Sequence, residues 1–502
     1  MRNLTQRSKS VGNLLAVLGL LFFPALAAAQ TVNLTWDAST SQNTVGYNVY
    51  RGANANGPYT RINSTLDTNT AYADSTVQAG NTYYYVTTAV DNQGVESEYS
   101  NQTEAVIPGG GPGTENVLYN FAGGSDPKLP YAGVIFDKAG NLYGTTEFGG
   151  TNNQGTVFEV IPSSNGTWTE SILYSFTGGE DGAQPYGGLA FDSAGNLYGT
   201  TNFGGSTNCN LGCGTVFTLT PGSNGWTESV LYTFTGGSDG HEPYARLLFD
   251  AAGNLYGTTL LGGNIGSVCS SGCGTVFKLT RGSSGWTESV IYAFEGGTDA
   301  ASPYDGLAFD SAGNLYGSTY AGGASGNGTV FKLAPNSSSW TESVIHSFAG
   351  GYDGTYPYGD LILDAKGNLY GTAFQGGHQG YGMVFELTPT AKGGWREKLI
   401  HGFANVPAGN PVAGLVMDTT GNLYGTTMLG VATTPCAGGC GTLFKLTPAS
   451  NGWTYKVVHE FGKGTDGYHP TGDLILDPTG NLYGTTQAGG AQGSGMVFQI
   501  MN

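Results

Sequence analysis

Gly253-Asn254-Leu255-Tyr256-Gly257-Thr258-Thr259 is one of seven near-copies in this chain. The pentapeptide GNLYG recurs with its Asn at Asn141, Asn196, Asn254, Asn314, Asn368, Asn422 and Asn481, at intervals of 55, 58, 60, 54, 54 and 59 residues. The surrounding unit reads roughly WTESVLYxFxGGxDGxxPYGGLAFDxxGNLYGTTxxGGxxxGTVFKLTPxSxG. Four stretches in it are rich in β-branched and aromatic residues and bounded by Gly, Pro, Asp or Asn, which is the composition of short strands between tight turns. We name them A (YGGLAFD), B (NLYGTT), C (GTVFKLT) and D (WTESVLYTF), the last opened in six units by Trp168, Trp226, Trp286, Trp340, Trp395 and Trp453. Four strands repeated seven times predict an all-β chain whose residues 115–502 form a seven-bladed β-propeller of four-stranded blades. A solenoid is the rival, but its common repeats are shorter and its ends need capping units.

The phase of the repeat predicts how the ring closes. Residues 115–121 (ENVLYNF) match strand D but precede the first GNLYG, and the last unit stops at GMVFQIMN with no strand D. Residues 116–121 are therefore expected beside residues 495–500, which would remove two open sheet edges. The 86 Gly among 502 residues fit this many-turned design. With 11% charged residues, 30 Tyr and 23 Phe, the composition excludes acidic disorder.

Upstream lie three further segments. Residues 1–29 carry Arg2, Arg7 and Lys9, an apolar run over 14–26 and Ala27-Ala28-Ala29, the layout of a secretory signal peptide. That run is shorter than the ~20 residues a membrane-spanning helix needs, so no membrane span is expected. Losing the leader would take the formal charge from −18 to −21, an acidity that repels phosphate backbones and argues against a nucleic-acid partner. Residues 30–108 alternate as the strands of a β-sandwich, and residues 109–114 (GGGPGT) read as a Gly-rich linker.

The 30–108 segment resembles a fibronectin type III domain. Trp36 stands where that family keeps its core Trp, Tyr83 where it keeps its tyrosine-corner residue, and residues 94–100 look like its F–G loop and following strand. The resemblance implies a spacer or binding accessory. The seven units, through NLYGTT, the following GG and GTVFKL, resemble the GloVer-type (Gloeo/Verruco) tandem repeats of secreted bacterial proteins. That resemblance implies an extracellular repeat protein and brings no activity with it.

In an antiparallel blade the B–C loops and D–A connections share one face, and the A–B turns lie on the other. The A–B turn begins with Asp137, Asp192, Asp250, Asp310, Asp364, Asp418 or Asp477, which suits the turn itself. The D–A connection, GGxDGxxPY, carries Asp126, Asp181, Asp239, Asp299, Asp353 and Asp466, and then Tyr131, Tyr186, Tyr244, Tyr304 and Tyr358. The sixth unit departs with Val406-Pro407-Ala408, and Val412 and Thr471 replace the last two tyrosines. Carboxylates beside aromatic rings offer acceptors for hydroxyls and flat faces for C–H groups, so these residues are the candidate ligand-binding set; turn chemistry and packing are the alternative reading. His241, His378 and His469 lie on the same face, whereas His346, His401 and His459 replace a strand-D Tyr and read as sheet positions.

The six Cys form three C-x-x-x-C pairs, Cys209/Cys213, Cys269/Cys273 and Cys436/Cys440, on B–C insertions. In an exported chain these are expected as three local disulfides rather than a zinc site. No HExxH, phosphate loop, EF-hand or dinucleotide fingerprint occurs, and no catalytic residue, metal or cofactor is assigned. The G-x-S-x-G match at residues 236–240 lacks its strand–helix elbow. The expectation is a secreted, monomeric binding protein for a glycan or cell-surface component, with a polysaccharide hydrolase or lyase and a structural envelope component as alternatives.

Overall fold

A computed structural model describes residues 14–19, 31–74, 76–77, 82–106, 113–163, 167–283, 285–337, 339–404, 408–430, 436, 439–463 and 466–502. The cleavage region of the leader, most of the 109–114 linker, and Val406 and Pro407 lie outside these residues. The chain is all-β, and a three-residue 3₁₀ turn at Gly351–Asp353 is the one helical element among the described residues. It divides into two compact units: Met1–Thr114 with Pro162–Thr169 and Met501–Asn502, and Glu115–Ile161 with Glu170–Ile500.

The first unit has two sheets. One orders Leu14–Gly19, Thr31–Trp36 and Ala71–Asp74; the other orders Thr60–Arg61, Thr44–Gly52, Thr82–Asp91 and Thr103–Val106. Val32, Leu34, Trp36, Tyr47, Val49, Tyr85 and Ala89 form its core. One feature differs from the sequence reading and another adds to it. The backbone of Leu14–Gly19, in the stretch read as a leader outside the fold, pairs antiparallel with Thr31–Trp36, because an apolar extended run can satisfy the open side of that strand. A buried tyrosine tether is seen at Tyr85, which is fully buried and whose hydroxyl donates to Asp74 at 2.9 Å. Tyr83 lies under the Arg51 guanidinium, 4.7 Å from its ring centre. The two are two residues apart on one strand and share a face.

In the second unit the repeat becomes seven sheets. The second of them orders Ala190–Phe191, Leu197–Thr201, Thr215–Gly222 and Gly225–Thr233, the strands A to D, all antiparallel. Its sisters follow the same order, and the fifth adds Thr355–Pro357. The seventh takes its strand D from the start of the unit: Glu115–Asn120 pairs antiparallel with Met496–Ile500.

Strand A is shorter than expected, two residues rather than the whole of YGGLAFD. The PYGG half leaves its sheet and lies against the backbone of the next unit, where a Cβ on Gly187 would stand 2.7 Å from the carbonyl oxygen of Ala245. Hydroxyls of strand B reach the same segments: Thr145 donates to Gly187, Thr200 to Ala245, Thr258 to Asp305, Thr372 to Ala413, Thr426 to Pro470 and Thr485 to Ala132, each to the carbonyl oxygen. The last of these joins the seventh sheet to the first.

A buried Phe pair fills each junction between neighbouring sheets. Phe121–Phe158, Phe176–Phe217, Phe234–Phe277, Phe294–Phe331, Phe348–Phe385, Phe403–Phe444 and Phe461–Phe498 meet with ring centres 5.0–5.3 Å apart. Such tilted and edge-to-face pairs add ~0.5–1.5 kcal/mol each beyond their burial.

The two glycines of GNLYG have separate causes. Gly253 has φ 81° in the A–B turn and open space around it, whereas a Cβ on Gly257 would stand 2.6 Å from Phe277 Cζ. The turn carboxylate is saturated: in the third unit Asp250 Oδ1 accepts from the backbone of Ala252 and Asn254, and Oδ2 from the Asn254 amide and the Tyr256 hydroxyl. The A–B aspartates therefore serve their turns.

Candidate functional site

The D–A and B–C segments meet on one side of the second unit, as paired short strands or bridges such as Ala300–Ala301 with Ala321–Gly322. They surround a central cavity of about 550 Å³ lined by Tyr131, Tyr186, Tyr244, Tyr304 and Tyr358. The five expected tyrosines are thus brought together, and with Val412 and Thr471 they come one from each unit.

Their rings pack largely against one another. Tyr186 stacks on Tyr244 at 4.6 Å, Tyr244 meets Tyr304 at 4.9 Å, and Tyr304 meets Tyr358 at 4.8 Å. Tyr131 closes the set through its hydroxyl, 3.4 Å from that of Tyr358. Burial pushes all five phenols above their ordinary pKa, so they are hydroxyl donors throughout the physiological range. They form a half-buried aromatic floor whose edges, rather than whole faces, remain to a ligand.

The D–A aspartates are not brought together. Each is spent on its own turn, accepting from the backbone four residues earlier and from the strand-D Tyr or His: Asp181 from Thr177 N (2.7 Å) and Tyr174 (3.1 Å), Asp239 from Thr235 N and Tyr232, Asp299 from Glu295 N and Tyr292. Asp126 holds Ala122 N and Tyr119, Asp353 holds Ala349 N beside His346, and Asp466 holds Gly462 N beside His459. The three loop-face histidines also stay apart. His241 neighbours Glu242, His378 packs on Tyr352, and His469 packs on Tyr468.

Sequence reasoning missed four residues in the cavity wall, Arg246, Asp305, Asp360 and Asp473. They fall one or two positions after the PY column, where most sister units carry Gly or Ala; that break in a repeated column was the available signal. Asp360 takes the Arg246 Nε and Nη2 at 3.1 and 3.0 Å on Oδ2 and Gly306 N at 2.6 Å on Oδ1. Asp473 Oδ1 accepts Gly414 N at 2.6 Å. Burial, then the neighbouring Asp360 and Asp473, pushes the Asp305 carboxyl well above the usual carboxylate range. Burial and Asp360 raise Asp473 as well, against the pull of Arg246. The cavity therefore holds one carboxylate paired with a guanidinium and two that retain protons more readily.

Two residues before each cavity-lining position of the PY column or its equivalent stands a second sevenfold set, each member preceding a Pro: Leu129, Gln184, Glu242, Ser302, Tyr356, Asn410 and His469. All seven have left-handed φ, between 52° and 57°, and none is Gly. Each N–H donates to the preceding unit, as Ser302 N does to Cys273 O and His469 N to Cys440 O. Six of the carbonyls accept from their own unit, at Glu147, Asn202, Leu260, Tyr320, Met428 and Gln487. These bonds hold a conformation that a side chain disfavours. This set touches the tyrosine floor through its partners: Tyr186 donates to Glu147 at 2.6 Å, and Tyr320, which stacks on Tyr356 at 4.5 Å, meets Tyr304 at 5.6 Å.

Three disulfides, Cys209–Cys213, Cys269–Cys273 and Cys436–Cys440, close the inserted B–C loops. The carbonyl of the second Cys is the acceptor that fixes Glu242, Ser302 or His469 in the following unit. Among the described residues no helix is long and apolar enough to cross a membrane.

Sheet order and repeat define a tandem-repeat protein of the all-β class. The Gloeobacter/Verrucomicrobia repeat matches residues 74–269 and 265–498, and the chain belongs to that repeat family. An amylopullulanase from Thermoanaerobacter thermohydrosulfuricus is 36% identical over 135 residues, which are 26% of this chain and 9% of that enzyme. Another, from Thermoanaerobacterium saccharolyticum, is 42% identical over 74 residues, 15% of this chain and 6% of that enzyme. The chain thus spans less than a tenth of the curated relatives it matches. A solved Fn3-like protein from Clostridium thermocellum is 37% identical, covering 20% of this chain and 95% of that protein with a TM-score of 0.17.

Proposed function

We propose that the seven sheets are the blades of a seven-bladed β-propeller, that residues 30–108 are a fibronectin type III-like module, and that residues 1–29 direct export. The exported protein binds carbohydrate at the mouth of the central cavity. One observation carries this reading: seven left-handed positions, each two residues before a cavity-lining position, every one bearing a side chain. A glycine would relieve ~1–2 kcal/mol at each, and this chain supplies glycine at most of its other left-handed positions. Strain retained where the cheap remedy is at hand points to use of the side chains. Those side chains differ from unit to unit: Leu129 is apolar and Asn410 is buried with its amide on Phe374 O, while Gln184, Glu242, Ser302, Tyr356 and His469 give a sevenfold frame an uneven polar set suited to one ligand. Hydroxyl donors on the floor and carboxylates in the wall are the groups that recognise sugars. Likeness to segments of amylopullulanases supports a carbohydrate setting, and three local disulfides support an oxidising compartment.

A polysaccharide hydrolase is the second reading, favoured by the unequal surroundings of the wall carboxylates. Asp305, whose carboxyl burial pushes well above the usual range, has the character of a general acid, and Asp360, paired with Arg246, stands in the same wall.

A glycan array probed with the full chain tests both. Binding is expected to fall at least tenfold in Gln184→Ala and Tyr356→Ala, with melting temperature kept within about 2 °C. Absence of any bound glycan sinks the first reading. Release of reducing ends that disappears in Asp305→Asn would establish the second.

A further inference from the structure

At six junctions between neighbouring sheets a strand-D glutamate faces the turn aspartate of the sheet before it: Glu170 with Asp126, Glu228 with Asp181, Glu288 with Asp239, Glu342 with Asp299, Glu397 with Asp353 and Glu115 with Asp466. In every pair the glutamate Oε1 is buried without a hydrogen-bond partner. At four of them the third member is a tyrosine, Tyr119, Tyr174, Tyr232 or Tyr292, whose hydroxyl donates to the aspartate. A phenol supplies a proton and suits a site in which the glutamate is neutralised by protonation.

The junction of the sixth and seventh sheets differs. His459 stands in the tyrosine's place, with Nε2 3.2 Å from Asp466 Oδ2 and 3.9 Å from Glu115 Oε2. One ligand atom from each of the three residues falls within a 4.8 Å cluster. The Asp466 side chain is only 5% exposed, and its Oδ1 has no partner, an unmet acceptor found in none of the other five turn aspartates. His346 makes the nearest sister site with Asp353 and Glu397, but Asp353 is 25% exposed with no such orphan oxygen. An imidazole, unlike a phenol at neutral pH, brings a lone pair. Tetrahedral zinc with bonds of ~2.0–2.2 Å sets its ligand atoms about 3.4 Å apart, close to the two separations seen.

We propose that His459, Asp466 and Glu115 form a binding site for one divalent zinc-type cation, which ties the strand entering the second unit to the sixth sheet. Ionised Glu115 and Asp466 would bring two negative charges to the ion, which takes the place of the proton that burial and the Asp466 carboxylate favour on Glu115. The ion would engage His459 Nε2, Asp466 Oδ2 and Glu115 Oε2, the atoms whose separations fit it, with the buried Glu115 Oε1 and Asp466 Oδ1 left beside its charge. Zinc is favoured over calcium because calcium takes six to eight oxygen ligands, and this set has a nitrogen and little room.

Tag-free full chain, stripped with a chelator, is titrated with ZnCl₂ by calorimetry at pH 7.5, with CaCl₂ in parallel. One Zn²⁺ per chain is expected, with a rise in melting temperature and little response to Ca²⁺. His459→Tyr installs the residue that four sister sites already hold, so the fold should tolerate it; zinc affinity should drop at least tenfold. Glu115→Gln should do the same, and His346→Tyr should leave the affinity unchanged. The proposal is overturned if the wild-type chain binds no zinc, or if His459→Tyr and Glu115→Gln bind it as tightly as wild type.

Discussion

Gly257→Ala and Gly253→Ala alter the same pentapeptide and should fail for different reasons. At position 257 the new methyl would lie 2.6 Å from Phe277 Cζ, 2.9 Å from its Cε1 and 3.0 Å from Leu247 Cδ2. Carbon atoms rest ~3.5–4.0 Å apart, so the ring must retreat by about 1 Å. Phe277 is fully buried and already edge-on to Phe234 at 5.2 Å, so little space lies behind it. Overpacking of this kind costs ~1–3 kcal/mol. Because φ at Gly257 is not left-handed, alanine also lowers the entropy of the unfolded chain, a gain of ~0.4–1 kcal/mol. The net loss is about 1–2 kcal/mol. At position 253 nothing lies within 4 Å and φ is 81°, so the cost is the left-handed penalty alone, ~1–2 kcal/mol, and Asn should recover most of it. Calorimetric melting of both alanine and both asparagine variants, with Phe277→Leu added to each background, separates the causes. The leucine should relieve Gly257→Ala by at least ~0.5 kcal/mol of coupling and leave Gly253→Ala untouched. If Gly257→Ala is as costly in the Phe277→Leu background as in the wild-type chain, the packing argument is wrong.

Three more expectations follow from the same geometry. Burial and a neighbouring aspartate raise Glu170, Glu228, Glu288 and Glu342 to about 7 in the folded chain; their favourable term is fully present below the unfolded value near 4.5 and is lost as pH rises through 7. The melting temperature should therefore fall between pH 5 and pH 8, less steeply in Glu228→Gln, and an unchanged slope in that variant would contradict the assignment. Tyr85→Phe removes one of the two donors to Asp74 Oδ2, the other being Arg51, and should lower stability by ~1.5–3 kcal/mol as a hydrogen bond to a charged group is lost; an unchanged calorimetric melting temperature would contradict the tether. Replacing Cys269 and Cys273 by Ser should cost about 2 kcal/mol for so short a loop and loosen the backbone at Ser302, read as faster amide exchange there; protection equal to wild type would refute the link between that disulfide and Ser302.

The sheets were legible because the repeat states one strand pattern seven times, and the A–B turn because Asp, Gly and Asn each have a local reason to be there. The cavity wall was not. Arg246 and Asp360 are 114 positions apart, and only the arrangement of the sheets makes them partners. The loop-face tyrosines were found as a column, but their mutual stacking depends on how seven columns converge. The D–A aspartates misled because a carboxylate near an aromatic has the same sequence appearance whether it faces a ligand or closes its own turn. His459 looked like another strand-D substitution, and its distinction rests on the burial of Asp466 and the arrival of Glu115 from the far end of the unit.

That arrival has a consequence for how the chain is made. Six of the sheets draw all their strands from one stretch of repeat, so each can be completed soon after it emerges. The seventh bonds Asn116 to Gln499, 383 positions apart. Its outer strand is synthesised first and its other three last, so for nearly the whole of emergence that strand is a bare edge beside a growing row of finished sheets. Widening a loop from one repeat to this span adds only about 2 kcal/mol of closure entropy at ~0.6 kcal/mol per doubling. The burden is one of timing rather than of final stability: during that interval the unpaired strand can be taken by the wrong sheet or by a neighbouring chain.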